Sequence, residues 1–61
     1  MTTVEMVILS HLSDAQMDIL YNPELANKRI QFVRTLVFDY PNTTVTIDDD
    51  KLDEIWNSMF K

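Results

Sequence analysis

The segment between two prolines, residues 22–40, constrains the fold of this chain more than any other feature. Asn22 is a favourable N-cap, Pro23 suits the first helical position, and Pro41 prevents a helix from continuing past residue 40. The segment therefore predicts a central helix over 23–39. Its apolar residues form two adjacent rows that cover more than a third of the helix circumference. The rows are Ala26, Ile30, Val33 and Val37, and Leu25, Phe32 and Leu36. We expect the shorter flanking segments to pack onto this helix.

Length and composition indicate one small helical domain, 1–61. The chain has 61 residues, of which 46% are hydrophobic, as expected of a folding rather than a disordered chain. It contains neither cysteine nor glycine, which excludes disulfides, thiolate metal sites and glycine-rich phosphate-binding loops. The core must therefore come from aliphatic and aromatic packing, or from association with a partner chain.

The N-terminal third is compatible with two structures. Thr2 and Glu5 have the spacing of a capping box, and the apolar residues up to Leu12 fall at helical intervals. A strand over 4–9 is the alternative, because this run is rich in β-branched residues. A second capping box begins at Ser13 and predicts a separate short helix over 14–20. Its expected buried residues are Met17, Ile19 and Leu20.

The C-terminal segment predicts an amphipathic helix after a linker over 41–47. Asp48 is a favourable cap, and the apolar residues that follow it recur at i, i+3, i+4, i+7 and i+8. They are Leu52, Ile55, Trp56, Met59 and Phe60. The predicted fold class is mainly α, a three- to four-helix domain centred on 23–39. The alternative is a small α+β domain in which 4–9 pairs with 43–47.

The sequence favours a non-enzymatic protein. His11 is the only imidazole, and a chain of this size without glycine offers little room for a substrate pocket. A structural role at a helix end or in a half-buried position is the expected one. The aspartates near residue 50 lack the spacing and the glycine of a calcium-binding loop. We therefore predict neither a metal nor an organic cofactor.

Charge is concentrated in one segment and suggests how the chain acts. Residues 48–54 hold five acids and one lysine, which is −4 of the net charge of −5. This helix start could dock on a basic groove of a larger protein and compete there with nucleic acid, through Asp49, Asp50, Asp53 and Glu54. Phe38 falls on the polar side of the central helix with Gln31 and Arg34, and aromatic residues beside arginine are typical interface anchors. A helix end that folds Phe38 back into the core is the competing interpretation.

The leading functional prediction is a protein–protein interaction module, a small acidic inhibitor or adaptor that binds a larger host protein and is phage- or plasmid-encoded. One alternative is a helix-turn-helix regulator that reads DNA with helix 23–38, although the negative charge argues against nucleic acid as the partner. Another is a homodimeric assembly protein, since the apolar sector is large for so short a chain.

The sequence predicts a cytoplasmic location, in the host if the protein is viral, and no membrane partner. The longest apolar run, from Met6 to Leu9, is far shorter than the roughly 20 residues that cross a bilayer. The first residues carry Glu5 where a signal peptide carries lysine or arginine.

Overall fold

Three helices and a two-stranded antiparallel ladder make up residues 2–60, the part of the chain that the computed structural model describes. The elements are β1 Thr2–Thr3, α1 Val4–Tyr21, α2 Pro23–Asp39, β2 Thr46–Ile47 and α3 Asp49–Met59. The mainly α fold class is confirmed. The predicted domain, 1–61, extends one residue beyond the described part at each end.

The central helix α2 has the predicted boundaries. The Asn22 side-chain oxygen accepts a hydrogen bond from the backbone N–H of Leu25 at 3.3 Å, and Pro23 begins the helix. At the other end the N–H of Tyr40 donates to the carbonyl of Leu36 at 2.8 Å, and Pro41 follows. Residues 23–39 therefore form one unbroken helix.

Helix α1 is a single helix of 18 residues, so the separate short helix over 14–20 is wrong. The Thr3 side chain caps it by accepting from the N–H of Met6, so the predicted capping box at Thr2 is wrong by one residue. Ser13 lies in the helix interior. Serine costs only about 0.5 kcal/mol inside a helix. Because no proline or glycine lies between residues 4 and 21, nothing local requires a break at Ser13.

Helices α1 and α2 form an antiparallel hairpin joined by Asn22 alone. At the open end Val4 and Val7 of α1 pack with Leu36 of α2, and near the turn α1 and α2 are joined by the hydrogen bond between Asp18 and Arg29. The two helices therefore lie side by side along their length.

The short ladder pairs Thr2 with Ile47 and Thr3 with Thr46. The alternative pairing of 4–9 with 43–47 is wrong, because residues 4–9 are helical. The linker nevertheless forms hydrogen bonds with the N-terminus of α1. The N–H groups of Val4 and Glu5 donate to the carbonyls of Val45 and Thr43, each at 2.9 Å. A helix start leaves such N–H groups without intrahelical partners, so the linker stabilises the first turn of α1.

The core lies between the hairpin and α3. Its buried residues are Val4, Val7, Phe32, Leu36 and Ile47, with half-buried Ile8, Tyr40, Leu52, Ile55, Trp56 and Met59 around them. The predicted apolar stripe of α3 is confirmed, and Phe60 packs on Trp56 with ring centroids 4.7 Å apart. Asp48 occupies the cap position, although its side chain makes no capping hydrogen bond.

Several residues expected inside lie outside. Met17, Ile19 and Leu20 are exposed, and Ala15 takes the buried position on that part of α1. Ile30 and Val37 of α2 are also exposed, whereas Ala26 and Val33 of the same row are buried. The physical reason is that α3 has only 11 residues and packs on one side of the hairpin. No helix within residues 2–60 is long and apolar enough to cross a membrane.

Candidate protein-interaction surface

A shallow cleft between α2 and α3 collects three of the predicted site residues. Its volume is about 620 Å³, and it is lined by Asn27, Gln31, Arg34, Thr35, Phe38 and Met59. Gln31, Arg34 and Phe38 follow i, i+3 and i+7, so one face of α2 presents all three. Met59 supplies the opposite wall from α3. We call this the α2–α3 cleft.

Phe38 does not fold back into the core. Phe38 is 84% exposed at the mouth of the cleft, so the interpretation that folds it back into the core is wrong. Tyr21 is an aromatic residue of similar exposure, at 79%, but it lies at the end of α1, outside the residues that line the cleft. Removing a phenyl ring from water is favourable, so covering Phe38 would contribute binding free energy to a complex with a partner.

A second, smaller depression adjoins the α2–α3 cleft and contains another predicted site residue. It has a volume of about 260 Å³, shares Thr35 and Met59 with the cleft, and includes Asp39, Lys51 and Glu54. The amine of Lys51 lies 3.7 Å from the Glu54 carboxylate, and both side chains are exposed. Such a pair contributes little to stability, so the Glu54 carboxylate remains accessible to a partner.

The three remaining predicted site residues lie on α3 outside both depressions. Asp49, Asp50 and Asp53 are exposed, and within residues 2–60 none of them forms an ion pair. Asp49 and Asp50 occupy the first turn of α3, where the helix dipole favours negative charge. The helix holds these carboxylates at fixed spacing on the outer surface.

Sequence reasoning missed Arg29, which joins the two long helices. Its Nε donates to Asp18 Oδ2 at 2.7 Å, and its Nη1 lies 3.7 Å from Asp14 Oδ2. Nη1 is also 3.1 Å from Nδ1 of His11. His11, Asp14 and Asp18 follow i, i+3 and i+7, so all three share one face only if α1 continues through Ser13. The prediction of two short helices therefore concealed this network.

His11 has a structural position at the junction of all three helices. Its ring meets the edge of Phe32 at 4.8 Å between centroids and stacks on Trp56 at 5.9 Å. Burial lowers the pKa of His11, the nearby Arg29 guanidinium lowers the pKa further, and Asp14 opposes both effects. Because a guanidinium can only donate, Nδ1 accepts, and the imidazole is neutral with its proton on Nε2.

The described part of the chain contains no preorganised set of metal ligands. No group of three or more histidine and carboxylate side chains among residues 2–60 is placed to hold a metal ion. Comparisons with protein-family models, with curated proteins and with solved structures found no protein similar to this chain.

Proposed function

We propose that the protein is a non-enzymatic interaction module, a small acidic inhibitor or adaptor that docks on a larger protein through α2 and α3. The observation that carries the proposal is the exposed Phe38 ring at an open cleft, beside Arg34 and Gln31. Aromatic and arginine side chains are enriched among the residues that dominate binding energy at protein interfaces.

The α2–α3 cleft has the features of an anchor site. Phe38 projects from a helix with only two side-chain torsions to fix, so burying it in a partner costs little conformational entropy. Arg34 and Gln31 flank it with donors for hydrogen bonds at the rim of the contact. The complementary partner presents an apolar pocket bordered by carbonyl or carboxylate oxygens.

The acidic surface of α3 supplies the long-range attraction. Asp49, Asp50 and Asp53 carry charges that no described residue neutralises through an ion pair. A row of fixed carboxylates accelerates association with a basic surface and competes with phosphates for it. The partner is therefore a protein with a basic groove next to the pocket for Phe38, such as one that itself binds nucleic acid.

A protein partner suits this surface better than DNA does. Of the cations on α2, Arg29 is held by Asp18, and the amine of Lys28 lies 5.5 Å above the ring of Phe60. DNA approaching Arg34 would also meet the carboxylates of neighbouring α3. The helix-turn-helix alternative remains a prediction, and a mobility-shift assay at low salt, its most favourable condition, tests it.

The proposal is tested by capture from a bacterial lysate with the immobilised chain and quantitative mass spectrometry. Phe38→Ala is compared with Tyr21→Ala, which removes an equally exposed aromatic ring away from the cleft. We expect the first to reduce capture of a specific protein at least about tenfold and the second to leave it unchanged. Equal capture by both variants would overturn the role of the cleft.

A second matched pair tests the acidic surface. Asp50→Lys and Glu24→Lys both replace an exposed acid in the first turn of a helix, so their effects on the helix dipole are similar. We expect Asp50→Lys to slow association with the captured protein and to weaken its salt dependence. An identical association rate for the two variants would remove α3 from the interface.

A further inference from the structure

Helix α1 carries apolar side chains around most of its circumference, and only one side of it is covered. Val4, Val7 and Ala15 are buried against the rest of the molecule. Seven large apolar side chains of the same helix are exposed: Met6, Leu9, Leu12, Met17, Ile19, Leu20 and Tyr21. A surface helix normally carries a single apolar stripe, and a helix that is apolar on all sides is normally buried.

The uncovered apolar residues continue from α1 onto α2. Trp56 of α3 packs on His11 and Phe32, so α3 covers one side of the hairpin. On α1, Leu12 and Ile19 are seven residues apart and share a row; on α2, Ile30 and Val37 do the same. All four are exposed. From the helical positions of the residues that contact α3, both rows fall on the side of the hairpin away from it. We call these four residues the open hairpin face.

We propose that the open hairpin face binds a second copy of this chain, so that two hairpins form a four-helix core with both α3 helices outside. Such an arrangement is a two-layer structure in which each apolar face covers the other. A two-fold axis brings the same patch of both chains together, and an apolar face of this kind is self-complementary.

The distribution of charge favours a second copy over a charged partner. Four of the five net negative charges lie in residues 48–54, on the helix that covers the other side of the hairpin. Like charges of two chains are therefore kept apart when the open faces meet. On the face itself the four residues are aliphatic, and Glu5 lies at the N-terminal end of the row formed by Leu12 and Ile19.

The dimensions of the hairpin suit a stable dimer. An α-helix of 18 residues is about 27 Å long, and two packed helices present a face about 20 Å wide. The footprint of such a face is about 540 Å², of the same order as the roughly 800 Å² per partner that a standard interface buries. The chain exposes 4448 Å², whereas a compact monomer of 7.2 kDa exposes about 4,100 Å². Its radius of gyration is 11.3 Å against about 10.5 Å for a compact chain of this length.

The test is analytical ultracentrifugation of the whole chain from about 1 µM to about 1 mM, a range that covers weak and moderate dimers. We expect a species of twice the 7.2 kDa of one chain. Ile19→Glu should raise the dimer dissociation constant at least about tenfold. The control is Met17→Glu, which adds the same charge to the same helix about 200° around its axis. The two side chains are 58% and 60% exposed, so neither change affects the core.

Ile30→Glu places the same charge on α2 and should likewise raise the dimer dissociation constant. Agreement between the two variants shows that the effect does not come from a local change in α1. Circular dichroism verifies that each variant keeps its helices. A monomer at all concentrations would overturn the proposal and assign the face to a different protein. A dimer that Ile19→Glu and Met17→Glu weaken equally would also overturn it. Neither result would affect the proposed role of the α2–α3 cleft, which lies on other residues.

Discussion

Two phenylalanines on α2 offer a direct comparison between a core residue and a surface anchor. Phe32 and Phe38 lie six residues apart on the same helix, but Phe32 is 1% exposed and Phe38 is 84% exposed. Truncating each to alanine makes the same chemical change with the same effect on helix propensity. Any difference in the free energy of unfolding therefore reports what surrounds the two rings.

We expect Phe32→Ala to be close to the limit that the protein tolerates. Burial of a phenyl ring and the cavity left by its removal are worth about 3–5 kcal/mol. Phe32 also makes edge contacts with His11 at 4.8 Å and Trp56 at 5.2 Å, each pair contributing about 0.5–1.5 kcal/mol. A chain of 61 residues has a total stability of about 3–9 kcal/mol. Phe32→Ala should therefore remove a large part of the free energy of unfolding, and all of it if the wild-type value is about 3 kcal/mol.

Phe38→Ala should change the free energy of unfolding by less than about 0.5 kcal/mol, since an exposed ring loses little burial. The assay is urea unfolding followed by circular dichroism and by the fluorescence of Trp56, at a concentration at which the chain is monomeric. With a urea m-value of about 1 kcal/mol/M, Phe32→Ala lowers the midpoint by about 3–5 M or abolishes the transition. Comparable losses for the two variants would refute the assignment of Phe32 to the core and Phe38 to the surface.

Two further predictions concern α1. Ser13→Ala should leave stability unchanged or raise it by up to about 0.5 kcal/mol, since Ser13 is interior to the helix; a loss of about 1 kcal/mol would instead indicate a helix start there. The lowered pKa of His11 means that the unfolded chain binds its proton more readily than the folded chain does. This contribution to stability is present above about pH 6.5 and declines as pH falls towards the folded pKa, by at most about 1.4 kcal/mol per pH unit. The measurement is the free energy of unfolding of the wild type minus that of His11→Gln, followed as pH falls below about 6.5. A difference that rises over this interval would contradict the prediction.

Local signals in the sequence predict the parts of the fold that depend on the chain's own chemistry. Pro23 and Pro41 limit α2 through backbone geometry, and these limits hold in any tertiary context. The spacing of the apolar residues on α3 likewise predicts the stripe that packs on the hairpin. The relation of Gln31, Arg34 and Phe38 follows from helical periodicity alone, and the structure places them on one cleft.

The remaining features depend on how the helices pack. Thr2 and Ser13 both begin capping-box patterns, and only packing along α2 selects one long α1, which is capped by Thr3. Ile19 and Leu20 are exposed because α3 does not cover their part of the hairpin. The sequence of residues 14–20 holds no information on where α3 packs. The Arg29 network and the contribution of Met59 to the cleft each require two elements to meet across the fold.

The central claim is that the α2–α3 surface is the working part of this protein. The most direct measurement is a set of NMR spectra of the ¹⁵N-labelled chain, titrated with the protein captured in the pull-down. The account predicts that shifts and line broadening concentrate on residues 31–38 and 49–54, with Phe38 among the most affected. Perturbations confined to α1, with the α2–α3 cleft unchanged, would contradict it.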